Sequence, residues 1–337
     1  MKMKTETLTL KFLTPAFLGD AGQNGAWRTP PIKALLRQWW RVAYAAKSDF
    51  SVNIQTMRSE EARLFGHADN DGASRSLVRL RLGMWDAGKL PKDKWVTGEK
   101  IPHPEKGMVE SFLYLGYGPL FGSSLKKNAA IQSGESSKLS LAFPDEHAPL
   151  LDHALWLMNR FGALGGRSRN GWGSFSLTPE NGETLAGTMP LREWEDCLKW
   201  DWPHAIGKDQ NGALVWQTAP QTDWKAVMTE LAKLKIALRT HFPFTTGKNA
   251  PKVEARHLLS YPVTNHSVDS WGGNLRLPNS LRFKVRPTNN GKLVGVIFHV
   301  PCLPPVAFRP NEGQLKEVWQ AVHRFIDQQQ TLTRVQE

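Results

Sequence analysis

The chain opens on an alternation: Thr5, Leu8, Leu10 and Phe12 stand against polar neighbours over residues 5–12, the period of two expected of a half-buried strand. Pro15, Gly19, Gly22 and Gly25 then mark a long loop. From residue 29 the period changes. Ile32, Leu35, Leu36, Trp39 and Ala43 recur at helical spacing, Thr29 can cap the first turn, and Pro30 and Pro31 fall where a missing N–H costs nothing, so a helix is predicted to about Lys47. Alternation returns in "RSLVRLRL" (75–82), and a further strand is predicted at 111–117 or 138–143. A second helix spans 149–161, stopped by Gly162, and "GWGSFSL" (171–177) closes the series as a strand.

The predicted order is strand, helix, strand, strand, helix, strand. That is the ferredoxin-like βαββαβ order, an open sheet backed by two helices that many RNA-binding modules share. Polar residues from Pro179 to Thr188 predict a boundary. Beyond it Trp224, Val227, Leu231, Leu234 and Leu238 line a helix face, "NSLRFKV" and "LVGVIFHV" pair as strands, and 315–326 forms a last amphipathic helix. The expectation is an α+β chain of two ferredoxin-like (RRM-like) domains, 1–180 and 181–337, the second degenerate. "RSLVRLRL" and "NSLRFKVR" (279–286) share a serine-leucine start with cations on alternate positions, as equivalent outward-facing strands of two distant copies would.

Charge sharpens this picture. The 43 Lys and Arg residues outnumber 31 Asp and Glu, for a formal charge of +12 over 337 residues, which favours polyanionic partners, nucleic acid ahead of an anionic membrane. No run approaches the roughly 18 apolar residues of a membrane span, and the start lacks a signal-peptide core, so a cytoplasmic location without a membrane partner is expected. Cys197 and Cys302 stand far apart, which excludes a disulfide framework or a CxxC motif. Neither a cofactor nor a metal site is expected.

On the 29–47 helix, Lys33, Arg37 and Arg41 recur every fourth residue opposite the apolar stripe, with Trp40 and Tyr44 beside them and no acid between Arg28 and Lys47. Cations without i,i+4 acids repel one another, and phosphates would relieve that cost. Trp40 would then offer a stacking face to an unpaired base. On this reading, replacing Arg37 and Arg41 leaves stability intact and flattens the salt dependence of RNA binding. The second basic stretch is "FGALGGRSRNGWGSF" (161–175). Gly162, Gly165, Gly166, Gly171 and Gly173 let backbone approach a ligand closely while Arg167 and Arg169 supply charge, Trp172 lying between the last two glycines. The alternative is a helix cap followed by a flexible turn. There is no GxxxxGK[ST], and a dinucleotide loop would follow a strand and open a helix, the reverse of this order.

"FLTPAFLGDAGQNGAWRTPPIKALLRQWWR", "LFGHADNDGASRSLVRLRL" and "LGGRSRNGWGSF", in this order and spacing, resemble the RAMP proteins of CRISPR systems, and among them the subunit-one proteins of the type III-B, or Cmr, effector complex. The resemblance covers most of 5–177, with a weaker echo in "RLPNSLRFKV" and "GVIFHVPCLPP". It implies two ferredoxin-like domains in an RNA-guided antiviral complex, near the 3′ end of the guide, with guide RNA (crRNA), target RNA and other RAMP subunits as partners. Carried over by motif, Lys33, Arg37, Trp40, Arg41, Gly165, Gly166, Arg167, Arg169 and Gly171 are its candidate RNA contacts. Arg28, Arg75, Trp172 and, in the 245–270 loop, Lys248, Arg256 and His257 complete the candidate set.

No catalytic residue is predicted. Metal-free RNA cleavage needs a base and an acid near the 2′-OH, metal-dependent cleavage needs clustered carboxylates, and the ten histidines form no HxH or HxxxH pair. Asp20 is a loop aspartate of the kind that related backbone subunits use, in a setting that does not match. Two rivals stand beside an RNA-binding subunit: a guide-processing endoribonuclease of the same superfamily, and a scaffold that joins proteins without touching RNA.

Overall fold

The computed structural model describes residues 2–22, 24–69, 72–122, 124–126, 129–272, 274–308 and 311–335. In the N-terminal half β1 (Met3–Phe12) leads through a loop to α1 (Thr29–Lys47) and α2 (Ile54–Phe65), then β2 (Arg79–Leu82). An insertion over 83–135 precedes β3 (Ser136–Pro144), α3 (Ala148–Phe161) and β4 (Phe175–Pro179). The four strands pair in the order β4-β1-β3-β2, antiparallel throughout. Leu8, Leu10 and Phe12 of β1 and Leu139, Leu141 and Phe143 of β3 face α1 and α3 and are buried. The opposite face carries Thr5, Thr9 and Lys11 beside Lys138, Arg79 and Arg81, exposed or half-exposed.

The C-terminal half repeats this plan. β5 (Val215–Thr218), α4 (Trp224–Thr240), β6 (Leu281–Pro287), β7 (Leu293–His299), α5 (Glu312–Asp327) and β8 (Leu332–Arg334) form a second antiparallel sheet in the order β6-β7-β5-β8. In each sheet the first and third strands are central and the second lies at an edge. The similar segment "RSLVRLRL" contains β2 and "NSLRFKVR" covers all of β6 but its last residue, and as the two second strands they occupy equivalent positions.

Their cations differ. Arg79 and Arg81 of β2 are exposed, whereas Lys284 of β6 has no solvent exposure. The expectation that both strands turn their cations outward is corrected here, because the far face of the second sheet lies against the N-terminal half: Val215, Val294, Val296 and Phe298 join the first core, with Phe298 5.0 Å from Phe161 at the end of α3. Lys284 Nζ donates to the carbonyls of Asn159 at 2.5 Å, Gly162 at 2.7 Å and Met158 at 3.4 Å. A helix C-terminus presents unpaired carbonyls and partial negative charge, so one ammonium satisfies several of them at once.

Three local expectations also change. Arg28, not Thr29, is the N-cap of α1, and no side chain caps it. Residues 111–117 are no strand: a short helix runs from Ser111 to Gly116, and the third strand is the alternative over 138–143. α2 has no counterpart among the predicted elements; Asn53 caps it through Oδ1, which accepts from the Thr56 N–H at 3.0 Å. Among the described residues no helix is long and apolar enough to cross a membrane.

Candidate nucleic-acid interface

Lys33, Arg37 and Arg41 do rise along one side of α1, but α2 sets a carboxylate beneath them. Glu61, with a side chain only 3% exposed, accepts from Arg37 Nε and, at 2.7 Å, from Arg41 Nε. A buried carboxylate costs several kcal/mol unless charged donors compensate it, and two guanidiniums do so here. The expectation of a ridge without counter-charge is thereby corrected for Arg37 and Arg41. Trp40 is corrected too: it is fully buried against Tyr44 and Phe65, at 5.1 and 5.9 Å between ring centroids, and presents no face to a base. Lys33 makes no ion pair among the described residues; burial, then the charge of Arg37, lowers its pKa. Arg28 Nη1 donates to the Gly19 carbonyl at 2.6 Å and ties the helix start to the preceding loop.

The glycine-rich loop folds against its own chain. Gly165, at φ +91°, lies where a β-carbon would meet the Phe17 carbonyl at 2.7 Å, and the Gly166 N–H donates to that carbonyl at 3.0 Å. At Gly173 a β-carbon would sit 1.8 Å from the Leu164 carbonyl, which no other residue tolerates. The close approach therefore serves Gly165, Gly166 and Gly173 in packing rather than in clamping a ligand, and Gly171 likewise faces Met228 of α4. Trp172 is fully buried among Phe17, Trp95, Phe112 and Trp224, whose centroids lie 5.4 to 6.0 Å away, and so belongs to the core. Truncating such a ring typically costs about 3–5 kcal/mol of stability.

What the loop does present is charge. Arg167 is held at φ +58°, an uncommon conformation for a residue with a side chain, and its Nε donates to the Tyr117 carbonyl at 2.6 Å. Arg169 Nη1 reaches the Asn279 carbonyl at 3.3 Å. From α4, Lys235 Nζ donates to Asn170 Oδ1 at 2.6 Å, and Arg239 Nη1 to Ser260 Oγ at 3.1 Å. Arg282 of β6 lies near enough to Arg169 to feel its charge. Arg169, Lys235, Arg239 and Arg282 are half-buried and Arg167 is exposed, and none of the five makes an ion pair with a carboxylate among the described residues. Burial lowers the pKa of each; the neighbouring charges of Arg239 and Arg167 lower Lys235 further, as Arg169 lowers Arg282. Glu105, whose charge reaches Arg239, is already bound by Arg256. Desolvated cations without counter-ions are costly in the free protein, and an anion is the partner that removes the cost.

Lys235, Arg239 and Arg282 were absent from the sequence-derived candidates. The signal was present: no acid occurs between Glu230 and Glu254, the same feature that drew attention to 29–47. Of the remaining candidates, Arg75 and Lys248 are exposed. Arg256 and His257 are corrected, since Arg256 is 4% exposed and held by Glu105 at 2.6 Å, and His257 is fully buried with Nδ1 accepting from the Glu254 N–H. Asp20 folds its own turn, its Oδ1 accepting from the Asn24 N–H at 2.8 Å.

The profile of the RAMP superfamily matches residues 9–176. The crystal structure of Cmr1 from Pyrococcus furiosus, apo form, is 16% identical, with 98% of each chain covered and a TM-score of 0.48. A chain of the cryo-EM structure of the Type III-B Cmr-beta bound to cognate target RNA is 11% identical over 96% of this chain and 100% of that one, with a TM-score of 0.50. At such identity the likeness is one of fold. No curated protein matches the chain.

Proposed function

We infer, from the premise that this chain belongs to the RAMP superfamily, that it is a non-catalytic RNA-binding subunit of a type III-B (Cmr) effector complex, in contact with guide or target RNA and with other RAMP subunits. Its two halves, 1–180 and 181–337, act as two ferredoxin-like domains, a division supported by the identical strand order of their sheets. The observation that carries the reading is the group of Arg167, Arg169, Lys235, Arg239 and Arg282, drawn from both halves and left without carboxylate partners among the described residues. Phosphates at regular spacing are the anions that fit several such cations at once, and guanidiniums suit them by geometry.

The test uses the purified full chain with single-stranded RNA across a salt series. The expected result is binding whose log–log salt slope is about −0.7 per phosphate engaged, with the RNA recovered intact. Binding indifferent to salt, or no binding, overturns the reading; cleavage by the isolated chain replaces it with a processing endoribonuclease.

A further inference from the structure

Among the described residues, two large exposed aromatic side chains lie on the segment that Arg167 contacts. Tyr117 is 55% and Phe121 is 67% exposed. They belong to one small feature of the 83–135 insertion, in which Leu120 and Phe121 pair with Leu125 and Ser124 and are entered by a tight turn where the Gly118 N–H donates to the Leu120 carbonyl at 3.1 Å. Leu120 and Leu125 anchor it, both buried in the second core. Side chains alternate across a strand, so burial of Leu120 turns its neighbour Phe121 outward.

This feature is bound to the cluster. Arg167 donates to the carbonyl of Tyr117, and a β-carbon on Gly118 would come within 3.3 Å of Arg167 Nη2. Gly118 has a positive φ of +115°, so glycine is what lets the backbone turn this tightly beside the guanidinium. Lys126, exposed, follows directly and donates its backbone N–H to the Pro119 carbonyl. Isolated rings among glycines, a lysine and an arginine do not make the contiguous apolar patch of a protein interface. They do match the combination that single-stranded nucleic acid uses, in which cations track phosphates and aromatic faces take up unpaired bases.

We propose that Tyr117 and Phe121 form a base-stacking platform, so that the RNA strand whose phosphates meet Arg167 and Lys235 lays one or two unpaired bases on these rings. The proposal rests on the RNA-binding reading given above and deepens it by naming the bases' seat and the single-stranded character of the ligand.

The probe is a single-stranded oligoribonucleotide in which 2-aminopurine replaces the base at successive positions, titrated into the full chain. Stacking quenches the probe, and the expectation is a several-fold loss of fluorescence at one or two positions. In a Tyr117→Ala, Phe121→Ala double variant the quench disappears and affinity falls about tenfold or more, given roughly 1–3 kcal/mol per stacked base, while the salt slope is unchanged. A Tyr117→Phe, Phe121→Tyr variant keeps both quench and affinity, and binding of fully duplex RNA does not respond to either change. Salt-dependent binding whose quench and affinity survive the alanine pair overturns the platform and leaves the RNA-binding reading standing; absence of any RNA binding by the unaltered chain removes both.

Discussion

Two basic regions of this molecule look alike in sequence and differ in what their charges meet. On α1, Arg37 and Arg41 converge on the single buried carboxylate of Glu61, which α2 supplies. At the glycine-rich loop, Arg167, Arg169, Lys235 and Arg239 donate to carbonyls, a hydroxyl and an amide, Arg282 lies beside Arg169, and none of the five makes an ion pair with a carboxylate among the described residues. The first arrangement joins two helices. The second holds its surplus charge at the junction of both halves, where burial without a counter-charge costs free energy. A run of cations without local acids is therefore a statement about one element only, and the neighbouring elements decide between architecture and recognition.

The sharpest way to break this distinction is an Arg167→Ala, Lys235→Met variant. Two charge-assisted contacts of about 1.5 kcal/mol each amount to roughly a hundredfold loss of RNA affinity, with a salt slope shallower by about 1.4. Its Tm should change little, since Arg167 is exposed and an apolar replacement of the desolvated Lys235 is often neutral or stabilising. The converse variant, Glu61→Gln, should lose about 2 kcal/mol of stability, because both guanidiniums stay in place without their acceptor charge. Its RNA affinity should hold, and a weakened affinity with full stability would reverse the assignment of the two regions.

A smaller effect lies in proton linkage. Burial, with the charges of Arg239 and Arg167, holds Lys235 well below its ordinary 10.5. Between that lowered value and 10.5 the folded state carries a neutral amine and the unfolded state a charged one, so stability rises with pH across this window and is least below it. A phosphate restores the charge, and binding in the window should take up a fraction of one proton, read from the dependence of the calorimetric enthalpy on buffer ionisation and absent in Lys235→Met. Least of all, Lys33→Ala should change the salt slope by no more than about 0.7, one phosphate's worth.

Much of the fold was legible because burial wrote its period plainly. β1 alternates, α1 and α3 carry continuous apolar stripes, and β6 and β7 are apolar on their core positions. α2 was hidden by the residue that gives it its importance: Glu61 occupies a buried position on the face of Met57, Leu64 and Phe65 and breaks the apolar pattern there. The candidate site was half legible. Arg167 and Arg169 stand out beside their glycines, but Lys235 and Arg239 lie on a helix far along the chain, and only packing brings them to that loop. Trp40 and Trp172 misled for the opposite reason, since a tryptophan beside arginines reads the same whether its ring faces bases or four other rings.

Lys284 has a consequence for the order in which the protein comes into being. The carbonyls that accept from its Nζ belong to residues 158, 159 and 162, more than 120 positions earlier. During synthesis the N-terminal half emerges first with that helix end still unfilled, and the residue that fills it arrives only when most of the chain has been made. The junction of the two halves is thus a late product of assembly, closed only once β6 has been made.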